Sequence, residues 1–215
     1  PIARGVLSRE EKPRLLLRRV LFPSDFMRKE FKQAGIPSTE GRVVFGAVDT
    51  TPYLEGKQLP KTSDVGSLLY VGRLTHEKGA HTAIEAVSQL VKKNGIKHLK
   101  LTIVGDGEAD YLDSLHKTVE RDSLSSFVTF LPAQPKESLP ALYRQSDLFL
   151  FTSIWQEPFG RVIVEAMASG MAVVGTAVGG AAEILVHDEN ALVFEVGDSF
   201  SLAQALRRLI ESPAL

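Results

Sequence analysis

From about residue 66 to the end of the chain, short apolar runs alternate with longer segments that have helical spacing. The first apolar run is residues 67–74, and the segment after it continues to Asn94 and Gly95, which are typical of a helix end. Short apolar strands separated by helices indicate a parallel sheet covered on both faces. The sequence therefore predicts a doubly wound, Rossmann-like α/β domain, which we place at residues 64–215.

The residues before this domain follow a different pattern. Residues 18–23 and 42–49 read as two strands on either side of a helix. Two strands do not form a core by themselves, and the turn-forming residues within 51–66 are typical of a linker. We therefore expect residues 1–63 to be the end of another domain, followed by a crossover and linker.

Composition narrows the class of protein. The 25 basic and 26 acidic residues leave a net charge of -1, which gives no electrostatic reason to expect nucleic acid as a partner. The absence of cysteine excludes disulfides and thiolate metal sites, and it fits a reducing compartment, so we expect the cytoplasm. No signal-peptide pattern is recognised in the sequence. Because the sequence begins with Pro1 and not with Met, we also expect it to be a fragment of a longer protein.

The stretch EPFGRVIVEAMASG, residues 157–170, carries the main candidate site. Ligands of doubly wound folds bind outside the carboxyl ends of the strands, and this stretch follows such a strand. Pro158 is tolerated in the first turn of a helix, and Gly160 allows close approach of the backbone. A helix start of this kind, with unpaired N–H groups and a positive dipole end, favours phosphate. Acidic residues stand before the helix, at Glu157, and within it, at Glu165.

Glu165 lies in a helix that is otherwise apolar nearly all the way round. A carboxylate in apolar surroundings is costly unless it gains hydrogen bonds, and the two vicinal hydroxyls of a ribose supply two donors. The alternative is an ion pair with Arg161, four residues earlier, which is worth a few tenths of a kcal/mol. The segment alone leaves both open. Glu157 has an alternative too, since carboxylates before helices are common for dipole reasons.

A second pair of candidates, Arg73 and Lys78, brackets the turn after the first strand of the domain. With Gly72 and Gly79 beside them, an arginine fork and a lysine charge are suited to gripping a diphosphate. The alternative is a solvated loop. The glycines of TAVGGAAE, residues 176–183, are open to two readings as well: backbone contacts to phosphate or sugar, or a tight turn from strand to helix. We expect a short helix after them, around residues 183–185, with Glu183 at its start.

Several other kinds of site are not expected. GDGEAD at residues 105–110 lacks the third glycine of the dinucleotide fingerprint, and no P-loop motif occurs. The five histidines show neither metal-ligand spacing nor a paired acid, so the sequence predicts no metal site.

Five segments carry a family resemblance, in this order along the chain: GRLTHEKG, VGDGE, SDLFLFTSIWQEPFGRVIVEAMASGMAVVGT, VGGAAEIL and NALVFEVGD. Together they resemble the C-terminal, donor-binding domain of retaining glycosyltransferases of the GT-B fold, family 4, over about residues 66–210. Glu157 and Glu165 reproduce the E-x7-E signature of that family. Upstream, SDFMRKEFKQAGIP and FGAVD resemble the end of the family's N-terminal domain and its crossover strand.

The resemblance implies transfer of a sugar from a UDP- or GDP-linked donor to a hydroxyl acceptor with retention, with no further cofactor and no metal. It implies that Arg73 and Lys78 bind the donor diphosphate and assist its departure. Glu157 would lie at the donor sugar, and Glu165 would bind the ribose hydroxyls. The remaining donor contacts are expected at Pro158, Phe159, Gly160, Gly72, Gly105 and Leu131.

The acceptor site of that family lies in an N-terminal domain of which this chain holds at most the last part. We therefore expect the isolated chain to be inactive or weakly active, with a carbohydrate or lipid-linked acceptor held by the missing domain, which would also provide any attachment to the inner face of a membrane. Pro132 stands where the family usually has glycine, near the base-binding loop, so the base remains open.

Two other functions stay open at this point. The first alternative is a non-catalytic module that binds a nucleotide sugar. The second is an enzyme of the same architecture with another reaction, an epimerase or a phosphorylase. No acid–base pair or cofactor lysine in the sequence favours the last two.

Overall fold

The computed structural model describes residues 20–35, 41–55 and 65–212. Within these ranges the strands are β1 (Val20–Phe22), β2 (Gly41–Val43), β3 (Ser67–Val71), β4 (Lys100–Val104), β5 (Val128–Leu131), β6 (Leu148–Phe151), β7 (Ala172–Gly175) and β8 (Leu192–Val193). The helices are α1 (Asp25–Gln33), α2 (Thr51–Leu54), α3 (Ala80–Lys92), α4 (Ala109–Arg121), α5 (Leu139–Arg144), α6 (Arg161–Ala168) and α7 (Ser199–Glu211), with 3-10 turns at His76–Lys78 and Gly179–Glu183. None of the helices in these ranges is long and apolar enough to cross a membrane.

The larger of the two sheets has six strands in the order β5-β4-β3-β6-β7-β8, and every neighbouring pair is parallel. The chain moves outward from β3 to β5 and then returns to place β6 on the other side of β3. This confirms the predicted α/β fold with a parallel sheet. The reversal between β3 and β6 is a topological switch point, where folds of this type bind ligands.

Two apolar clusters cover the two faces of this sheet. Neighbouring strand residues point to opposite faces, so Leu68 belongs to one cluster and Leu69 to the other. The first cluster is covered by α3 and α7, whose Ile84 and Leu206 are fully buried. The second is covered by α5 and α6, which contribute Tyr143 and other buried side chains. The sheet is thus enclosed by helices on both sides.

The boundaries agree with the sequence predictions in part, since β3 begins at the predicted residue but ends at Val71, before the predicted residue 74. Helix α3 ends at Lys92, just before the predicted stop, and α6 begins at Arg161. The helix predicted around residues 183–185 is instead a 3-10 turn at Gly179–Glu183. The reason is close packing, because the backbone of that turn lies directly against residues 156–158.

The residues before the domain form the predicted pair of strands around a helix. Strands β1 and β2 are parallel and separate from the large sheet. Strand β2 is shorter than expected and ends at Val43.

The segment expected to be a linker begins differently. Its first residues form α2, and the side chain of Tyr53 is buried against Tyr143, with ring centroids 5.5 Å apart. Arg144 Nη1 donates to the carbonyl oxygens of Pro52 and Glu55, at 3.1 Å each. An aromatic anchor therefore fixes the crossover to the domain. The predicted domain boundary, at residues 63 and 64, lies outside the described residues.

Candidate functional site

A cavity of about 400 Å³ opens at the switch point, beside the carboxyl ends of β3 and β6. Seven of the residues singled out from the sequence line it: Gly72, Arg73, Lys78, Glu157, Pro158, Phe159 and Gly160. Pro23 and Gly46 complete the lining from the segment that precedes the domain. The fold therefore brings both candidate groups, the turn after β3 and the loop before α6, to one place.

The turn that carries Arg73 and Lys78 is held at both ends. The hydroxyl of Tyr70 lies 3.3 Å from the carbonyl oxygens of both residues. Gly79 closes the turn with φ of 70°, and a Cβ there would lie 2.0 Å from the carbonyl oxygen of Thr152. Thr152 Oγ1 also donates to the carbonyl oxygen of Gly79 at 2.9 Å. The spacing of the two cations is thus fixed by buried neighbours that the sequence analysis did not identify.

Lys78 and Glu157 form an ion pair at the edge of the cavity. Lys78 Nζ lies 2.5 Å from Glu157 Oε1, and Ser153 Oγ donates to the same oxygen at 2.6 Å. Their side chains are only 18% and 9% exposed. Glu157 Oε2 makes no hydrogen bond with a described residue, and an ammonium group has three donors, so both members of the pair can still bind a polar ligand.

The loop of residues 157–160, which we call the donor loop, leads into α6 with its N–H groups free. Gly160 adopts φ of 103°, in the region that favours glycine. The backbone N–H groups of Phe159, Gly160 and Arg161 make no hydrogen bond with any described residue. Unpaired N–H groups at the start of a helix, together with the helix dipole, form a site for an anion such as phosphate.

A second cavity, of about 450 Å³, lies beside the ends of β3, β4 and β5 and shares Val71, Gly72 and Arg73 with the first. Gly105 lines it with φ of 153°, and a Cβ there would lie 1.9 Å from the carbonyl oxygen of Gly72. Only glycine allows this approach of the two strand ends. Since the cavities adjoin, an elongated ligand can occupy both.

The side chain of Leu131 does not line either cavity, although the resemblance implied a contact with the donor at this residue. Its carbonyl oxygen accepts a hydrogen bond from the Gly105 N–H at 3.0 Å, and its side chain packs partly buried against the core. It lines neither of the two cavities, whereas Ala133 and Gln134, two and three residues further on, line the second.

Glu165 is buried, with 6% exposure, and lines neither cavity. The hydroxyl of Tyr143 donates to its Oε2 at 3.1 Å. Glu165 and Arg161 both lie in the described part of the chain and form no salt bridge there, so the ion pair considered from the sequence is not formed. Burial raises the pKa of Glu165 above its ordinary value, and the hydrogen bond from Tyr143 opposes this shift.

Two tyrosines flank this carboxylate. Burial, followed by the charge of Glu165, raises the pKa of Tyr53 to about 12 and raises the pKa of Tyr143 well above its ordinary value. The Tyr53 hydroxyl lies close enough to feel that charge, yet it makes no hydrogen bond of normal geometry with a described residue. Both hydroxyls therefore stay protonated at neutral pH. No local sequence signal identified them, because one lies in an expected linker and the other in an amphipathic helix.

The histidines are spread over several surfaces. Within residues 20–35, 41–55 and 65–212, no group of three or more His, Cys, Asp or Glu side chains is placed to hold a metal ion. His76 and His81 stack at 4.6 Å, and His81 Nδ1 lies 2.8 Å from the hydroxyl of Tyr111. His187 does lie beside an acid, 3.3 Å from Asp188, which corrects the expectation that no histidine has an acidic neighbour.

Comparison with known proteins gives relatives among glycosyltransferases. An uncharacterized glycosyltransferase of Methanocaldococcus jannaschii is 34% identical over 148 residues, which are 68% of this chain and 36% of that protein. D-inositol 3-phosphate glycosyltransferase of Pseudarthrobacter chlorophenolicus is 31% identical over 147 residues, which are 68% of this chain and 35% of that protein. The chain thus spans about a third of the length of these relatives.

Solved structures agree with these relatives. The crystal structure of HepE from Anabaena in complex with UDP and glucose matches 91% of this chain and 54% of its own, with a TM-score of 0.80 and 30% identity. The C-terminal domain of a glycosyl transferase group 1 family protein from Francisella tularensis matches 78% of this chain and 85% of its own, with a TM-score of 0.63 and 28% identity. The α/β fold with its parallel sheet is therefore that of GT-B glycosyltransferases.

One family, described as glycosyl transferases group 1, matches residues 55–215. This range contains the whole six-stranded sheet, the second cavity, all of the candidate residues and all of the lining of the main cavity except Pro23 and Gly46. The chain belongs to the glycosyl transferases group 1 family.

Proposed function

We propose that this chain is the donor-binding half of a retaining glycosyltransferase of family 4, which transfers a sugar from a nucleotide-diphosphate sugar to a hydroxyl acceptor. One observation carries the proposal: two cationic side chains, a carboxylate and free N–H groups meet at a cavity of about 400 Å³ at the switch point of the sheet. HepE, a structural neighbour, has been crystallised with UDP and glucose and with UDP-glucose, which supports a UDP-linked donor.

The diphosphate would lie between the turn after β3 and the start of α6. Arg73 offers a planar fork of donors and Lys78 a compact charge, and the N–H groups of residues 159–161 face the same negative groups. Negative charge builds on the diphosphate as the bond to the sugar breaks. Fixed donors at that place stabilise the developing charge and so assist departure of the nucleotide.

The donor sugar would lie beside Glu157. One carboxylate oxygen is already occupied by Lys78 and Ser153, so its position is fixed. The other oxygen is available to accept hydrogen bonds from sugar hydroxyls. Pro158, Phe159 and Gly160 would form the wall behind the sugar. Such a wall orients the anomeric carbon, which keeps its configuration in a retaining transfer.

The nucleoside would extend into the second cavity. Its base would lie near Gly105 and the residues after Leu131. The family resemblance assigns its ribose to Glu165, although the buried carboxylate lines neither cavity. Tyr143 occupies one oxygen of that carboxylate, and Glu165 Oε1 makes no hydrogen bond with a described residue. A ribose diol would supply the donors for it.

The lengths of the relatives support a division of the protein into a donor-binding part and an acceptor-binding part. We infer that residues 1–63 end an N-terminal domain and that residues 64–215 bind the donor. The acceptor would be held by the part of the relatives that this chain does not span. The chain alone would then bind the donor and transfer its sugar slowly or not at all.

Calorimetric titration with UDP and with GDP tests the proposal. Wild type is expected to bind UDP, and Arg73→Ala is expected to bind it about tenfold more weakly, because a charge-assisted contact is lost. Arg73 is exposed, so its substitution leaves the fold intact. Arg207→Ala, on the exposed face of α7, is the matched control and should bind as wild type does.

Glu165→Gln tests the nucleoside contact in the same titration. Glutamine keeps an acceptor for the Tyr143 hydroxyl but loses the charge, so we expect UDP to bind about tenfold more weakly. If neither nucleotide binds wild type at millimolar concentration, the proposed function is wrong. If both variants bind as tightly as wild type, the assignment of these residues is wrong.

A further inference from the structure

The donor loop is contacted from outside the family-matched range, by residues that precede α1 and follow β2. Ser24 Oγ donates to the carbonyl oxygen of Pro158 at 2.6 Å, and Ser24 is fully buried. Gly46 lies against the ring of Phe159, since a Cβ at that position would come within 2.6 Å of Phe159 Cδ1. The loop that forms one wall of the main cavity is therefore supported by a separate part of the chain.

The same part of the chain is fixed by an unusual cap on α1. Ser24 Oγ accepts from the N–H of Met27 at 3.1 Å, as an N-cap serine does. The two N–H groups between them, of Asp25 and Phe26, donate to the carboxylate oxygens of Glu183, at 2.9 and 2.6 Å. Glu183 lies more than 150 residues further along the chain, so the cap joins α1 to the 3-10 turn at Gly179–Glu183.

The 3-10 turn at Gly179–Glu183 also packs against the donor loop. The N–H of Gly180 donates to the carbonyl oxygen of Glu157 at 2.6 Å. A Cβ would lie 2.4 Å from that oxygen at Gly179 and 2.3 Å from the carbonyl oxygen of Pro158 at Gly180, so both positions require glycine. Two consecutive carbonyl groups of the loop are thus held by α1 and the turn, and the N–H groups that follow them stay free.

We propose that Ser24 and Glu183 are positioning residues for the donor loop, acting through Pro158 and Glu157, so that residues outside the cavity set nucleotide affinity. The inference rests on the proposed function of the loop. Ser24 fixes one peptide carbonyl directly, and Glu183 holds the helix start from which Ser24 acts. Loss of either contact frees the loop, and ligand binding must then order it again.

Ser24→Ala is the main test, with Asp198→Ala as its matched control. Asp198 caps α7 through the N–H of Phe200 at 2.8 Å and lies away from the cavities, so both variants lose one N-cap. We expect both to lower Tm, with the larger fall for Ser24→Ala, because it also loses the bond to the carbonyl oxygen of Pro158. Only Ser24→Ala should bind UDP about fivefold more weakly in calorimetric titration, the effect of one neutral hydrogen bond.

A second readout does not depend on nucleotide. Trp155 is the single tryptophan of the chain, is 40% exposed and lies two residues before Glu157. Acrylamide should quench its fluorescence more strongly in Ser24→Ala than in wild type or Asp198→Ala, because the loop is less ordered. Glu183→Gln, which keeps an acceptor oxygen, should give an intermediate result in both measurements.

The outcomes separate the two proposals. If wild type binds no nucleotide, the proposed function fails, while quenching still tests the positioning role. If wild type binds UDP and the Ser24→Ala and Glu183→Gln variants match Asp198→Ala in both readouts, the positioning role is wrong. If Ser24→Ala does not fold, Glu183→Gln decides by the same comparison.

Discussion

Two buried carboxylates of the same segment are stabilised in different ways. Glu157 and Glu165 are 7% and 6% exposed. Glu157 is paired with Lys78 at 2.5 Å, so its charge is neutralised within the protein. Glu165 receives a hydrogen bond from the neutral hydroxyl of Tyr143, and burial raises its pKa. The comparison teaches that the charge of Glu157 is balanced within the protein by Lys78, whereas the charge of Glu165 has no cationic partner among the described residues and depends on hydrogen-bond donors.

The largest loss of stability is expected from removing Lys78, the cation that pairs with Glu157. Lys78→Met leaves Glu157 buried without its counter-charge, which should lower the free energy of unfolding by about 3 kcal/mol. The control is Lys92→Met, which breaks a pair with Asp122 in which the lysine is 48% exposed and should cost less than about 1 kcal/mol. Urea unfolding measures both. Equal losses would mean that the Lys78–Glu157 pair is no stronger than a surface pair.

Combining Glu157→Gln with Lys78→Met tests whether the unpaired charge of Glu157 causes the loss of stability. The double variant Lys78→Met/Glu157→Gln no longer buries an unpaired charge, so it should recover part of the stability that Lys78→Met loses. A double variant less stable than Lys78→Met would contradict the account of the first carboxylate.

The next largest loss of stability is expected from removing the hydroxyl of Tyr143, which donates to Glu165. Tyr143→Phe removes the donor to Glu165 while keeping the ring that packs against Phe149. A buried carboxylate loses a hydrogen bond, which should cost about 2 kcal/mol in urea unfolding. A loss below about 0.5 kcal/mol would show that the carboxylate obtains its stabilisation elsewhere.

A smaller effect, of opposite sign, is expected for Glu165→Gln. Burial raises the folded-state pKa of Glu165 above its ordinary value of 4.5, so between these values the folded protein holds more protons than the unfolded chain. Stability contributed by this group therefore falls as pH rises above 4.5 through the folded-state pKa. Glutamine cannot ionise, so the variant should be more stable than wild type at pH 7.

The pH dependence of the stability difference between Glu165→Gln and wild type tests whether the substitution is stabilising. The stability advantage of Glu165→Gln should shrink as pH is lowered and disappear below the ordinary pKa of 4.5, where the carboxyl is protonated in both states. Thermal unfolding from pH 4 to pH 8 measures the difference. A variant less stable than wild type at pH 7 would mean that the charge of Glu165 is well solvated in the folded protein.

The smallest effect is expected at Tyr53. Its buried hydroxyl lies near the carboxylate of Glu165 but makes no hydrogen bond of normal geometry with a described residue, so Tyr53→Phe removes only a weak contact. We expect a change in the free energy of unfolding within about 0.5 kcal/mol, neutral or stabilising. Tyr143→Phe is the matched comparison. A loss as large as that of Tyr143→Phe would show that both hydroxyls serve the carboxylate equally.

The sequence predicts the part of the site that depends on local pattern. The alternation of strands and helices placed Lys78 and Glu157 at the ends of two strands, and parallel strands that neighbour one another bring such ends together. Their meeting at 2.5 Å follows from that topology. Helix α6 was also predictable, because its apolar residues and its glycine start are local features.

Features that depend on contacts between distant residues were not predictable in the same way. Tyr53 lies in a segment whose composition is typical of a linker, and only the packed structure shows it against Tyr143. Likewise, Glu183 was expected to begin a helix, but it caps another helix more than 150 residues away. No periodicity or spacing encodes such partners, because they are set by how the elements pack.

The two cavities, of about 400 and 450 Å³, share the lining residues Val71, Gly72 and Arg73 at the end of β3. This arrangement has a consequence for inhibitor design. Two weakly binding fragments, one in each space, would be separated by little more than a strand end, so a short tether would join them without strain. The second fragment would then bind at a high effective concentration, and the joined molecule would gain affinity from proximity alone.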